Sequence, residues 1–347
     1  MVSRRSIINP FLRRLVAVHT GTLARVRQVI DDNMNIRNIL KTQLNRWVGR
    51  FSPEPLENRR REQEYAIGIY SGESPLCMRP YDVVTNPVLT RRDVTDIDAE
   101  LVADPFMISV DGAWYMFFEA LNAQTGKGEI GLATSTNTRN WTYQQIVLTE
   151  PFHLSYPCVF ESEGDFYMIP ESYQAGSVRL YKAELFPTRW KYIRTLLNGS
   201  YFVDASIFQY QEKWWLLTES NPEMKHDTLR LYYADSLTSS WCEHPSSPIV
   251  AGNGHIARPA GRVIVSSDSI IRFTQDCDPI YGTSVKAFQI TKLTTTSYVE
   301  REVDPRPVLA ASGTGWNARG MHHIDAHRLR EGRWIACVDG WDWTYVE

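Results

Sequence analysis

One block of sixteen residues occurs three times without a gap, and that repeat limits the fold more than any other feature of the chain. Asp104-Pro-Phe-Met-Ile-Ser-Val-Asp-Gly-Ala-Trp-Tyr-Met-Phe-Phe-Glu119 reads as two short strands around a turn at Val110-Asp-Gly-Ala113. Tyr156 to Glu171 and Asp204 to Glu219 repeat it in length and pattern. A looser fourth copy runs from Arg258-Pro-Ala to Phe273-Thr-Gln275, and a fifth from His323-Ile-Asp325 through Gly332 to Asp339. Each of the first three is followed by a second strand pair ending in tryptophan, at Trp141, Trp190 and Trp241; the fourth has Tyr298 in that place. Four strands at a period near 50 residues make a propeller blade. The expected fold is therefore all-β, a five-bladed β-propeller with an N-terminal amphipathic helical extension.

The fifth copy lacks its outer strands because the sequence stops at Glu347. Ala66-Ile-Gly-Ile-Tyr-Ser71 resembles Ile130-Gly-Leu-Ala-Thr-Ser135, and Pro87-Val-Leu-Thr90 offers an outermost strand. Residues 66–90 are thus expected to complete the last blade and close the ring, leaving no open sheet edge. The expected division is a basic helical extension and linker over 1–64, and the propeller over 65–347.

Antiparallel pairing brings the two ends of each inner hairpin to the same rim, and the innermost strands converge on the axis. That places Asp104 with Glu119, Tyr156 with Glu171, and Asp204 with Glu219. Arg258 joins Gln275 and Asp276, and His322, His323 and Asp325 join Asp339. His255 is expected at the same depression. Any one such aspartate could simply bond neighbouring backbone amides and latch blades together. The gathering of several at one rim favours a binding or catalytic pocket. Glycosidic chemistry needs one carboxyl to protonate the leaving oxygen and another to activate water or attack the anomeric carbon.

Charge narrows the partners. Residues 1–50 carry ten Lys/Arg against two acids, so the other 297 residues sum to −11 within a chain of net charge −3. The main body is acidic, which argues against nucleic-acid binding. Apolar residues from Leu23 to Val48 fall at helical spacing, so a membrane surface, a second copy of the chain or the propeller itself is the expected partner of residues 1–50. Five scattered cysteines without a C-x-x-C pair fit a reducing compartment. With no apolar run of membrane length and no signal-peptide core, a cytoplasmic location, at most peripheral to a membrane, is expected. No cofactor is called for. His322-His323-x-Asp325-x-His327 has metal-ligand residue types, which leaves room for an ion on the axis, but strand alternation splits them between faces. Asn140-Trp-Thr and Asn198-Gly-Ser match the glycosylation sequon and read as turns.

Ala103-Asp-Pro-Phe-Met-Ile108 with Gly112-Ala-Trp-Tyr-Met-Phe-Phe-Glu119 resembles the furanosidase propellers, glycoside hydrolase family 43 and its clan. The resemblance implies a catalytic carboxylate at Asp104, a pKa-tuning role for Asp204 and a general acid at Glu171 or Glu219. Ser155-Tyr156-Pro157 departs from that pattern, since a hydrolase often has Asp at the start of the second blade. Ala66 to Pro75, Asn86 to Thr90 and Phe152-His-Leu-Ser-Tyr-Pro157 are similar to the N-terminal propeller domain of plant glucosamine inositolphosphorylceramide transferases and their bacterial relatives. In the plant proteins a separate glycosyltransferase domain follows. The resemblance implies a glycan or glycolipid substrate, acted on by a hydrolytic or transferring enzyme. The alternatives are a non-catalytic glycan-binding propeller and an accessory domain of glycolipid synthesis.

Overall fold

The computed structural model describes residues 61–199 and 201–345. The expected helix over residues 23–48 and the basic segment 1–50, with its membrane or self-association partners, lie outside the described residues. No described helix is long and apolar enough to cross a membrane.

The described residues form a five-bladed propeller of antiparallel sheets. Blade I runs Ala99–Val110, Ala113–Asn122, Lys127–Ser135 and Thr142–Leu148, from the axis outward. Blade II follows with Ser155–Ser162, Asp165–Glu171, Ser177–Leu185 and Arg189–Asn198. Blade III is Val203–Tyr210, Lys213–Glu219, Leu229–Ala234 and the short Cys242–Glu243. Blade IV is Ile264–Val265, Ile270–Gln275, Ser284–Thr294 and Ser297–Glu302, with Leu309–Ala310 also on the third of these.

Blade V joins both ends of the sequence: Ile324–Arg328 and Trp334–Tyr345 pair onward to Arg61–Ser74 and Cys77–Pro80. The outermost strand is therefore Cys77–Pro80, not Pro87–Thr90. A tight hairpin returns the chain at once, pairing Ser74 with Cys77 and Tyr70 with Pro80. Leu89 reaches the same strand lower down, in a single bridge to Ile67.

Between blades the contacts are aromatic. The tryptophans that close the first three outer hairpins pack onto the hydrophobic core rather than standing in open solvent. Trp190 meets Phe117 of blade I edge-to-face at 5.4 Å, with its indole N–H bonded to the Pro187 carbonyl. Edge-to-face rings gain about 0.5–1.5 kcal/mol beyond the area they bury. At the axis, blades IV and V approach through Gly261, which bridges Ile324 in parallel. A side chain there would sit 1.8 Å from the Ile324 carbonyl oxygen, and φ is +131°, so only glycine serves.

Candidate functional site

Each of the first three inner strands carries a β-bulge where the repeat begins. Between Ala103 and Phe106 one residue is extra against Glu119 and Phe117, and the same slip recurs at Ser155/Cys158 and Val203/Ser206. The first bulge residue lies in the left-handed region each time: Asp104 at φ 53°, Tyr156 at 46° and Asp204 at 50°. Proline follows Asp104 and Tyr156, and a bulge is where a strand tolerates a residue without an N–H. The bulge corrects the expected pairing by one position. Ala103, Ser155 and Val203 stand opposite Glu119, Glu171 and Glu219, and the neighbouring Asp104, Tyr156 and Asp204 are freed from the ladder.

Two of the freed backbone amides are caught by a carboxylate of the preceding blade. Asp104 N–H donates to Asp339 Oδ2 at 2.9 Å, and Asp204 N–H to Glu171 Oε2 at 3.1 Å. Both carboxylates thereby latch blades, and both stay beside the axis.

A cavity of about 180 Å3 opens here, lined by Asp104, Glu119, Glu171, Arg258, His322, His153, Tyr65 and Tyr281 among others. Arg258 brings a guanidinium to this site. Its Nε donates to Asp204 Oδ2 at 2.5 Å, Nη2 stands 3.5 Å from Glu171 Oε2, and its guanidinium lies 4.9 Å from the Tyr281 ring centroid. His226 Nδ1 is 3.0 Å from its Nη1. His322 Nδ1 is bonded to Asp339 Oδ1 at 2.6 Å, and its Nε2 lies 3.6 Å from Asp104 Oδ1.

This crowding pulls the carboxyls apart in protonation. Burial pushes Asp104 up to about 7, eased by His322 and reinforced by Asp204 and Asp339. Burial also raises Glu119 well above the usual range, with Asp104 adding to it. Glu171 is raised well above its ordinary value by burial and by the negative Asp204. Burial would lift Asp204 too, but Arg258 outweighs it and holds that carboxyl below the usual range. Asp339 is likewise held down against burial by His322. His153 is driven to about 4 by burial and by Arg258. With Nδ1 accepting from Gly128 N–H, it carries its proton on Nε2, 3.4 Å from Glu119 Oε1.

Of the residues expected in one depression, Asp104, Glu119, Glu171, Arg258 and His322 line the cavity. Asp204 is fully buried directly beneath, bonded to Arg258 and to Gln275 Nε2 at 2.7 Å. Gln275 is spent on that bond and on the Pro259 carbonyl. Glu219 is also fully buried, and its Oε1 accepts from Asn221 N–H at 2.7 Å, so it braces its own loop. Tyr156 is a core residue: its hydroxyl meets Ser206 Oγ at 2.8 Å and the Gly261 backbone, across the axis. His323 packs against Phe106 and Tyr156 with no exposed surface. Asp325 lies deeper still, paired with Arg262. His255 and Asp276 bond each other at 2.8 Å, with the imidazole half exposed.

His153, Tyr65 and Tyr281 line the cavity beyond the residues expected there. His153 sits within the Phe152–Pro157 segment that carries the family resemblance, and Tyr65 directly precedes the closing strand segment, so both had a signal. Tyr281 comes from a loop with none. Asp104, His322 and Asp339 are the described donors that cluster within 4.8 Å as a cation site would. Within it His322 Nδ1 is bonded to Asp339, whose charge raises the imidazole above its ordinary value against the effect of burial.

Residues 58–341 match the family described as Glucosamine inositolphosphorylceramide transferase 1, N-terminal. Glucosamine inositolphosphorylceramide transferase 1 of Oryza sativa subsp. japonica is 36% identical over 299 residues, covering 80% of this chain and 40% of the rice protein. The protein of that name from Arabidopsis thaliana is 33% identical over 301 residues, covering 80% and 39%. The chain thus spans about 40% of the length of these relatives. Among solved structures, a glycosyl hydrolase from Bacteroides ovatus superposes with a TM-score of 0.52 at 13% identity, over 78% of this chain and 94% of that one. An exo-beta-1,3-galactanase from Clostridium thermocellum gives 0.51 at 13%, over 70% and 59%. At that identity the likeness is one of fold.

Proposed function

This chain belongs to the family of glucosamine inositolphosphorylceramide transferase 1 N-terminal domains, and from that premise we propose that its axial cavity does acid–base work at a glycosidic bond. The substrate is one sugar of a glycan or glycolipid. The cavity is smaller than the ~300–1,000 Å3 of drug-sized pockets, so it suits a single ring. The observation that carries this reading is the split among carboxyls sharing one cavity: Glu171 kept protonated beside an ionised Asp204, and Asp104 near 7. Groups displaced in opposite directions divide naturally into acid and base.

In this scheme Glu171 gives its proton to the glycosidic oxygen as the bond to the anomeric carbon breaks. Asp104 takes a proton from the water or acceptor hydroxyl that attacks that carbon. Asp204 remains ionised and keeps Glu171 protonated.

The test is turnover by the full chain of a panel of aryl glycosides and glycosyl inositol phospholipids. Glu171→Gln and Asp104→Asn should each lower kcat about 10²–10⁴-fold. Because Asp104 must be ionised, activity should rise with pH through about 7, then fall at higher pH as Glu171 loses its proton. Variants that turn over as fast as the native chain would sink the assignment. Protonated carboxyls also both donate to and accept from sugar hydroxyls, which favours a second reading as a glycan-binding pocket. That reading expects sugar binding without turnover, retained in Asp104→Asn.

A further inference from the structure

We propose, building on that acid–base reading, that His322 is a positioning residue for Asp104: locked by Asp339, its imidazole stands as a fixed cation against the Asp104 carboxyl. The arrangement is a chain of three side chains from two blades. Asp339 Oδ1 takes both the His322 backbone N–H, at 3.2 Å, and its Nδ1–H, at 2.6 Å, which fixes the ring in one orientation. Asp339 Oδ2 takes the Asp104 backbone N–H at 2.9 Å, so the same carboxylate sets the distance between the two residues it joins. The remaining ring nitrogen faces Asp104 Oδ1 at 3.6 Å, while His322 is only 3% exposed. Asp104 Oδ1 is buried without a hydrogen bond, so its charge depends on neighbours at a distance.

The surroundings explain why a cation is needed. Asp104 shares its enclosure with Asp204 and Asp339, both negative, and with Glu119. Arg258, the other cation facing it, is already bonded to Asp204. The His322 ring contacts Tyr65, tilted, at 4.9 Å and Tyr281, edge-on, at 5.3 Å, neither of which supplies charge. His323 Nδ1 stands equally close to Asp104 Oδ1, at 3.6 Å, but burial lowers its pKa to about 4, so it brings no charge near pH 7. Burial would lower His322 as well, but Asp339, then Asp104 and Asp204, reverse the sign. Without this imidazolium the aspartate would stay protonated through neutral pH and could not accept a proton. A carboxylate that orients a histidine from behind is a familiar device where an imidazole must act in one tautomer. Here the histidine acts on a second carboxyl.

The first test needs no substrate. Ring-nitrogen NMR of the histidines in the full chain should show one imidazole that keeps both protons above pH 7. Its signal should vanish in His322→Gln, and its midpoint should fall by about one unit or more in Asp339→Asn. A His322 that titrates at or below the ordinary histidine value of about 6.5 overturns the proposal. The second test uses any glycoside the chain turns over. In His322→Gln the rising limb of the pH profile should move up by about one unit, a roughly tenfold loss below it that recovers at higher pH. An unmoved limb, with activity lowered equally at every pH, overturns it. If no glycoside is turned over, the acid–base reading fails, and the NMR result alone decides whether the pairing exists.

Discussion

Two clusters of buried charge stand along the inner strands, and they are built on opposite terms. At the cavity, Asp104, Glu119, Glu171, Asp204, Glu219 and Asp339 confront Arg258 and His322. Three positions deeper along the first strand of blade I, Asp325 meets Arg262 and His327. Asp325 Oδ1 accepts from Arg262 Nε at 2.7 Å; Oδ2 takes the Met107 N–H at 2.7 Å and pairs with His327 Nε2 at 2.9 Å. Burial would raise Asp325, yet Arg262 and His327 hold it far below the usual range. No Asp325 oxygen is among the buried atoms lacking a partner, whereas Asp104 Oδ1, Asp204 Oδ1 and Glu219 Oε2 all are, among the described residues. A satisfied buried network fixes geometry, while an unsatisfied one stores a demand for a proton or a ligand. The comparison separates a latch from a site, although both were aspartates at strand ends in the sequence.

The largest difference should appear when the latch is cut. Asp325→Asn leaves the Arg262 guanidinium buried without its counter-charge, which typically costs about 3–5 kcal/mol. Urea denaturation at neutral pH should show a loss of that size. The isosteric changes Asp104→Asn and Glu171→Gln should leave stability near native or above it. A latch variant as stable as the native chain would show that the two clusters do not differ in their hold on the fold.

The next effect is a pH dependence with a definite sign. Glu219 is raised from 4.5 to about 7 chiefly by burial. The folded chain therefore binds a proton there that the unfolded chain has released. The stability from that proton is fully present below about 4.5 and is lost as pH rises to about 7. The contribution is roughly 3 kcal/mol, since one pKa unit is worth about 1.4 kcal/mol. Glu219→Gln should flatten the slope of Tm against pH in that window. Asp325→Asn should leave the slope there unchanged, because Asp325 is ionised throughout it. An unchanged slope in Glu219→Gln would place that carboxyl in ordinary solvation.

The parts of this contrast that the sequence disclosed were those written in spacing. The hairpin repeat has no gap, so the blades and the shared rim of Asp104, Glu171 and Asp204 could be read directly. The depth of each side chain could not. The same bulge opens each of the first three repeats, yet Asp104 lines the cavity while Tyr156 and Asp204 are fully buried. Glu119 and Glu171 line it while Glu219 does not, so equivalent places in the repeat differ in depth. The Asp104-Pro and Tyr156-Pro pairs within strands were the available sign of the bulge, since proline in a paired strand marks a bulge or an edge. Arg262 and Tyr281 were illegible for another reason. They come from segments without periodicity, and only the closed ring brings them to the axis.

Tyr156 tests the boundary between the two clusters, since it lies between them and was expected to touch substrate. It holds a bulky side chain at φ 46°, where such residues are outliers, so something must over-determine its place. Its hydroxyl supplies that: Gly261 N–H donates to it at 2.5 Å, and it donates in turn toward the Gly261 carbonyl at 3.1 Å. Tyr156→Phe removes the acceptor and strands a buried amide at the point where blades IV and V come closest. Ser206 Oγ still donates to the same carbonyl at 2.9 Å, so only the N–H loses its partner. The expected cost is about 1–2 kcal/mol, at the low end for an unsatisfied buried group. Activity or sugar affinity should stay native, because the ring has no exposed surface and does not line the cavity. Thermal denaturation beside a binding assay separates the outcomes. Native stability with weakened binding would move Tyr156 from the structural layer into the site.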